Sequence, residues 1–178
     1  MLQAHPHLFR RGQARGFTLV EILIVVMILG ILAMIVIPQF VNAQQPAREN
    51  TLRENLRSMR TQIELFAAQH EELPPGYPGG DRNAAPTEAA MISHFTLYTS
   101  KNCQTSATYS AATPIRPQLL GIPANPFNQL SAVRVLGNGD SFPAADGLTY
   151  GWFYKPLTRE FKANTPGSDE TGRAYIDY

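Results

Sequence analysis

Gly16-Phe17-Thr18-Leu19-Val20-Glu21-Ile22-Leu23-Ile24-Val25-Val26-Met27-Ile28-Leu29-Gly30, continued by Ile31-Leu32-Ala33-Met34-Ile35-Val36-Ile37-Pro38-Gln39-Phe40, decides how this chain is read. From Ile22 to Ile37 every residue is apolar or glycine. As a helix, Phe17 to Phe40 reaches about 36 Å at about 1.5 Å per residue. That spans a hydrocarbon core of roughly 30 Å. A single segment in lipid must satisfy its own backbone, so a helix is expected. The preceding stretch, MLQAHPHLFRRGQARG, is polar and basic, with Arg10, Arg11 and Arg15 and no acid.

Glu21 is out of place in this block. A carboxylate inside an apolar span costs on the order of 3 kcal/mol and needs a partner, yet no Lys or Arg follows before Pro38. A secretory signal, with Val41-Asn42-Ala43 as a weak cleavage pattern, has a shorter apolar region of about 7–15 residues and needs no acid. A plain membrane anchor explains the length but not the charge. Cleavage after Gly16 explains both, because Phe17 then carries an α-amino group with a pKa of about 8. In a stack of parallel helices that ammonium pairs with Glu21 of a neighbour only in the correct register. Setting register is the best-attested use of a buried polar group.

Gly16-Phe17-Thr18-Leu19-Val20-Glu21 followed by an apolar helix resembles the processing motif of type IV prepilins. The resemblance implies that a prepilin peptidase cuts after Gly16 on the cytoplasmic side and N-methylates Phe17, which keeps its charge. It implies that Glu21 is the assembly glutamate, and that Gly30 and Pro38 bound a segment that unwinds in related filaments. Glycine is a weak helix residue and proline removes a backbone donor, which suits that role. The leader is longer than in many such proteins. Charge bias does not orient the span, because Arg48, Arg53 and Arg57 balance the leader. The motif therefore carries the orientation: a single pass through the bacterial inner membrane, N-terminus cytoplasmic and C-terminal domain periplasmic.

Beyond the apolar block, Leu52, Leu56, Met59, Ile63 and Phe66 recur at spacings of four and three. They form one apolar stripe of a helix expected from Ala47 to Glu72, begun or kinked by Pro46 and ended by Leu73-Pro74-Pro75-Gly76. The expected organisation is a basic leader 1–16, a membrane and assembly helix 17–40, an amphipathic helix 41–73 and a loop-and-sheet region 74–178. Thr87 suits an N-cap for a short helix, and 100–117 reads as irregular. Strands are expected over 132–136, 148–154 and 159–163, the last two joined as a hairpin through Lys155-Pro156-Leu157-Thr158, with an edge strand at 174–178. The fold class expected is α+β and pilin-like, a long helix packed on a small antiparallel sheet.

The order of these elements also resembles the G subunit of type II secretion. The family's Asp-Pro-Trp-Gly segment is absent, and Asn125-Pro126-Phe127-Asn128 stands in its place. Family members bind calcium in a C-terminal loop, which makes Asp169, Glu170 and Asp177 weak calcium candidates here. Calcium takes about 6–8 oxygens, and no spacing among these is diagnostic. No other cofactor is expected.

Composition narrows the function further. The formal charge is +1 over 178 residues; without Arg10, Arg11 and Arg15, twelve basic residues face fourteen acidic ones, a net of −2. No basic patch interleaved with aromatics signals nucleic acid. The lone Cys103 cannot close an internal disulfide. His5 and His7 lie in the leader, and His70 and His94 have no metal-binding spacing. P-loop, His-Glu-x-x-His and Gly-x-Ser-x-Gly motifs are absent, so an enzyme is not expected. The expected role is a structural subunit of a type II secretion pseudopilus. Its partners would be copies of itself, other pseudopilins, the peptidase, an assembly ATPase and a platform protein. The alternative is a type IV (minor) pilin for adhesion, motility or DNA uptake, although surface pilins commonly carry a C-terminal disulfide. A membrane-anchored enzyme is a distant third.

Overall fold

The computed structural model describes residues 16–178, with side chains for all but 37–43. The leader calls, Arg10, Arg11, Arg15, His5 and His7 included, lie outside the described residues. The chain divides into two compact units, Met1–Gln44 and Gln45–Tyr178. One helix, α1 (Leu19–Gln69), contributes to both. The elements that follow are α2 (Glu88–Thr96) and five short strands: β1 (Tyr98–Thr99), β2 (Thr105–Ser106), β3 (Val133–Val135), β4 (Trp152–Lys155) and β5 (Glu160–Ala163). The class is α+β, as expected.

In the second unit the apolar stripe of α1 is buried throughout: Leu52, Leu56, Met59, Ile63 and Phe66 are each at most 1% exposed. Burying each of these side chains contributes about 2 kcal/mol. They share one core with Val133, Trp152, Tyr154, Phe161, Ala163, Met91 and Phe95. Alternation along β4 and β5 turns Trp152, Tyr154, Phe161 and Ala163 toward that core, with the Trp152 and Phe161 rings 5.2 Å apart.

The helix ends at Gln69, earlier than Glu72, and Glu71 and Glu72 take left-handed φ of 55° and 65°. The Glu72 amide donates to Ala67 O at 2.8 Å and so closes the last turn. Arg159, from the β4–β5 turn, donates to Glu72 O at 3.1 Å, Glu72 Oε2 at 2.6 Å and Glu64 Oε2 at 2.9 Å. The hairpin thereby holds the helix end. The hairpin is the expected one, but it pairs Lys155 with Glu160 and Tyr154 with Phe161, so its turn is 156–159, one position on from the expected 155–158.

The α2 cap is also as expected: the Ala90 amide donates to Thr87 Oγ1 at 3.1 Å. Residues 100–117 are mostly irregular, apart from the two-residue ladder of β1 with β2 and an isolated bridge from Thr99 to Ile115.

Two expectations fail. The larger sheet is mixed rather than antiparallel, because β3 runs parallel to β4, Val133 opposite Trp152. A parallel pair needs a long return connection, and residues 136–151 supply it; no periodicity in that loop signals the direction. The edge strand at 174–178 is instead a 3-10 turn, Tyr175–Asp177. In a strand Tyr175 and Asp177 would share a face, so burying one would bury the other. The turn buries Tyr175 to 3% and leaves Asp177 exposed.

Close packing around Gly151 joins the loops to the sheet. A Cβ there would lie 1.9 Å from Leu130 O. The Gly151 carbonyl accepts from Asn125 Nδ2 at 2.8 Å and from the Asn164 amide at 3.0 Å. Asn125 also donates to Thr165 Oγ1, and Asn164 Oδ1 accepts from the Asp146 and Gly147 amides. These fully buried amides are satisfied in the way buried polar groups must be.

Two buried histidines flank Phe66, with ring centroids 3.7 Å (His70) and 5.1 Å (His94) away. The His70 Nδ1 proton goes to Phe66 O at 2.7 Å, so Nε2 accepts from Thr99 Oγ1 at 2.8 Å. His94 Nδ1 accepts from the Gly76 amide at 3.2 Å. Burial, then the charge of His70, pushes the His94 pKa down to about 4, against the pull of a main-chain hydrogen bond with Cys103; burial also lowers that of His70.

Gly151→Ala is expected to destabilise the full-length protein by about 3 kcal/mol through overpacking, read from denaturant unfolding; an unchanged midpoint would contradict the contact. A histidine whose folded pKa is depressed gives stability that is full above its unfolded pKa of about 6.5. That stability is lost as pH falls toward 4, on the order of 3 kcal/mol for His94. The melting temperature in detergent should therefore drop between pH 6.5 and 4, and His94→Asn, which keeps an acceptor for the Gly76 amide, should flatten that drop.

Candidate assembly and processing site

Gly16, Phe17 and Thr18 precede α1 outside any regular element and are exposed. Thr18 caps the helix. The Glu21 amide donates to Thr18 Oγ1 at 3.2 Å, and the Thr18 amide reaches Glu21 Oε2 at 3.4 Å. This reciprocal capping box satisfies two of the helix's first free amides. The spacing Thr-x-x-Glu was available in the sequence but was read only as part of the processing motif. In the lone chain, then, the Glu21 carboxylate leans on its own helix start and has no cation beside it among the described residues.

Every side chain from Phe17 to Val36 is exposed, and Leu19–Val36 forms a segment long and apolar enough to cross a membrane. Soluble proteins do not leave a surface of this kind uncovered. Gly30 and Pro38 both lie inside α1, so the isolated chain is helical where the resemblance marks an unwinding segment.

The calcium candidates do not converge. Asp169 Oδ1 accepts from the Thr171 amide (2.9 Å), Thr171 Oγ1 (2.6 Å) and the Arg173 amide (3.0 Å). Its Oδ2 accepts from the Tyr178 hydroxyl (2.7 Å) and Arg53 Nη2 (3.4 Å). Hydrogen bonds from Thr171 and Tyr178 hold the Asp169 carboxyl well below the usual range. Glu170 and Asp177 are exposed, and among the described residues no three of His, Cys, Asp and Glu gather as metal ligands. Five donors already aim at Asp169. One of them is the Arg53 guanidinium, and the set closes the 169–173 turn onto α1.

Cys103 is buried, and burial pushes its thiol up to about 11, which leaves no reactive thiolate. His70 and His94 are core side chains. Sequence reasoning missed the buried Asn125 and Asn164 and the partners of Arg53, all of which depend on contacts far apart in the chain.

Comparison with known proteins agrees with the motif. The prokaryotic N-terminal methylation motif matches residues 11–37. The type IV major pilin of Myxococcus xanthus is 40% identical over 57 residues, 32% of this chain and 26% of that one. The type II secretion system core protein G of Pseudomonas aeruginosa is 31% identical over 70 residues, 39% of this chain and 49% of that one. The chain thus spans about a quarter and about half of those two relatives. The type IV narrow pilus major component of Thermus thermophilus is 30% identical over 100 residues, 56% of this chain and 83% of that one. No solved structure matches. A methylation motif opening an exposed apolar helix, with a relative matched over most of its length, establishes the family: this chain belongs to the type IV pilins and their pseudopilin kin.

Proposed function

We propose that the chain is a pseudopilin-type subunit that is cut after Gly16, N-methylated at Phe17, and polymerised through its apolar helix into a type II secretion pseudopilus. The observation that carries this reading is Glu21, an acid without a cationic partner among the described residues, at the head of a helix whose apolar side chains are exposed through Val36. In a parallel bundle the Phe17 ammonium of one copy meets Glu21 of the next, displacing the weak capping contact to the Thr18 amide. The exposed apolar side chains exchange lipid for neighbouring helices, so register rests on the one charged pair.

The reading places the subunit in the inner membrane before assembly, N-terminus inside, with residues 45–178 in the periplasm. A prepilin peptidase, an assembly ATPase and a platform protein are its proposed partners, and no catalytic step is assigned to it. The Asp169 turn is proposed to work without calcium, because Arg53 supplies the positive charge. Likeness to core protein G and a buried, unpaired Cys103 support the secretion role. The longer match to the Thermus narrow-pilus component supports the second reading, a surface type IV pilin.

Glu21→Ala should leave membrane insertion and processing intact and reduce filament yield by tenfold or more, read by electron microscopy and shearing from cells. Normal filaments from that variant would contradict the register pair. Deleting the gene should then abolish protein export while sparing surface pili; the opposite pattern would favour the surface-pilin reading.

A further inference from the structure

Asn138-Gly139 is the one place in the chain where glycine follows asparagine. Both residues are exposed and form the middle of a turn from Gly137 to Asp140. The Asp140 amide donates to Gly137 O at 3.1 Å, and the Gly137 amide donates to Asp140 Oδ2 at 2.8 Å. The Gly139 nitrogen has no hydrogen-bond acceptor among the described residues. A Cβ at Gly139 would meet nothing within 4 Å, and its φ is not left-handed. This nitrogen is therefore unengaged and uncrowded, next to a carboxamide in its own chain.

The Asn138 carboxamide ties the turn to the 77–82 segment. The Tyr77 hydroxyl donates to Asn138 Oδ1, and Asn138 Nδ2 donates to Arg82 O at 3.4 Å. Tyr77 is buried. Burial raises its pKa, against the pull of the Asn138 hydrogen bond and the charge of Arg82, so the hydroxyl keeps its proton near neutral pH. A donor held on a carbonyl oxygen stabilises the negative charge that builds there as a nucleophile adds. Tyr77 thus makes Asn138 Cγ a better electrophile.

Asp146-Gly147 is chemically related and is arranged differently. The Gly147 amide donates to Asn164 Oδ1 at 3.1 Å, and Asp146 Oδ1 accepts from Asn164 Nδ2 at 2.8 Å and from the Leu148 amide at 3.0 Å. There the nitrogen is engaged, and the acid is held by two donors.

We propose that the Asn138-Gly139 turn is a self-modifying site, in which the Gly139 nitrogen attacks Asn138 Cγ while Tyr77 holds Oδ1, and the turn deamidates. The Gly139 N–Cγ bond forms as that nitrogen loses its proton to solvent. The Cγ–Nδ2 bond breaks, and Nδ2 leaves as ammonia with a proton from water. Water then opens the cyclic imide at Cγ or at the main-chain carbon, giving aspartate or isoaspartate. The sum is asparagine plus water to acid plus ammonia, with no redox partner. Either product loses the Nδ2 donor and sets a carboxylate against Arg82 O, so the tie to 77–82 is lost. Isoaspartate also lengthens the main chain by a carbon, which breaks the Gly137–Asp140 turn. The chemistry needs only this chain and water, and so stands apart from assembly.

The test holds the full-length protein in detergent at mildly alkaline pH and maps it over days by peptide mass spectrometry. Asn138 is expected to convert to aspartate and isoaspartate, while Asp146 stays unisomerised. Gly139→Ala, for which the turn has room, should slow the conversion on the order of tenfold by restricting the backbone. Tyr77→Phe keeps the buried ring and should slow it severalfold in the folded chain, with no effect in denaturant. Hydrogen exchange over 77–82 should be faster in the converted protein. An Asn138 that survives in the folded chain while it converts in denaturant would overturn the proposal. So would a folded Tyr77→Phe variant that converts as fast as the parent or faster. Conversion with unchanged exchange over 77–82 would overturn the loss of the tie.

Discussion

A single carboxylate at the head of an exposed apolar helix constrains everything else in this protein. Glu21 sits in a segment where an ionised acid is costly unless paired. Among the described residues the isolated chain offers it the Thr18 amide, at 3.4 Å. Such a contact caps the helix but does not neutralise the charge. Its apolar side chains are exposed from Phe17 to Val36, a surface that calls for lipid or other helices to cover it. On the proposed reading, a cation at position 17 of a neighbour satisfies the charge and the surface in the same step, and a pair that forms in one register selects the geometry.

The second unit carries no comparable deficit. Its stretch of α1 buries a full apolar stripe against β4, β5 and α2. Its helix end is pinned by Arg159, and its loops are tied down by Asn125, Asn164 and the close approach at Gly151. The buried histidines are members of that core. Asp169, which by resemblance suggested a metal, is held by Arg53, Tyr178 and main-chain amides. What this unit presents is shape and surface charge, which suits a subunit in a filament of similar subunits.

The parts legible in the sequence were those governed by local periodicity and capping. The stripe from Leu52 to Phe66, the Thr87 cap and the hairpin around Pro156 follow from residue spacing, whereas the motif from Gly16 to Glu21 was legible through its resemblance to type IV prepilins. The direction of β3 was not legible, because it depends on how residues 136–151 return rather than on β3 itself. Residues 174–178 read as a strand because Tyr175, Ile176 and Tyr178 favour one; burying Tyr175 while excluding Asp177 decides for the turn. The amide knot at Asn125 and Asn164 joins residues far apart in the chain, and no local pattern announces it. Thr18 was legible and was overlooked: its spacing to Glu21 is that of a capping box.

The central claim is that this helix begins its working life with a free, charged Phe17. Intact and N-terminal-peptide mass spectrometry of the protein from native membranes tests it most directly. The account predicts a mature chain that starts at N-methylated Phe17. A chain that retains Met1, or one that starts at Gln44, would contradict it, because neither places a cation where Glu21 of a neighbour can use it.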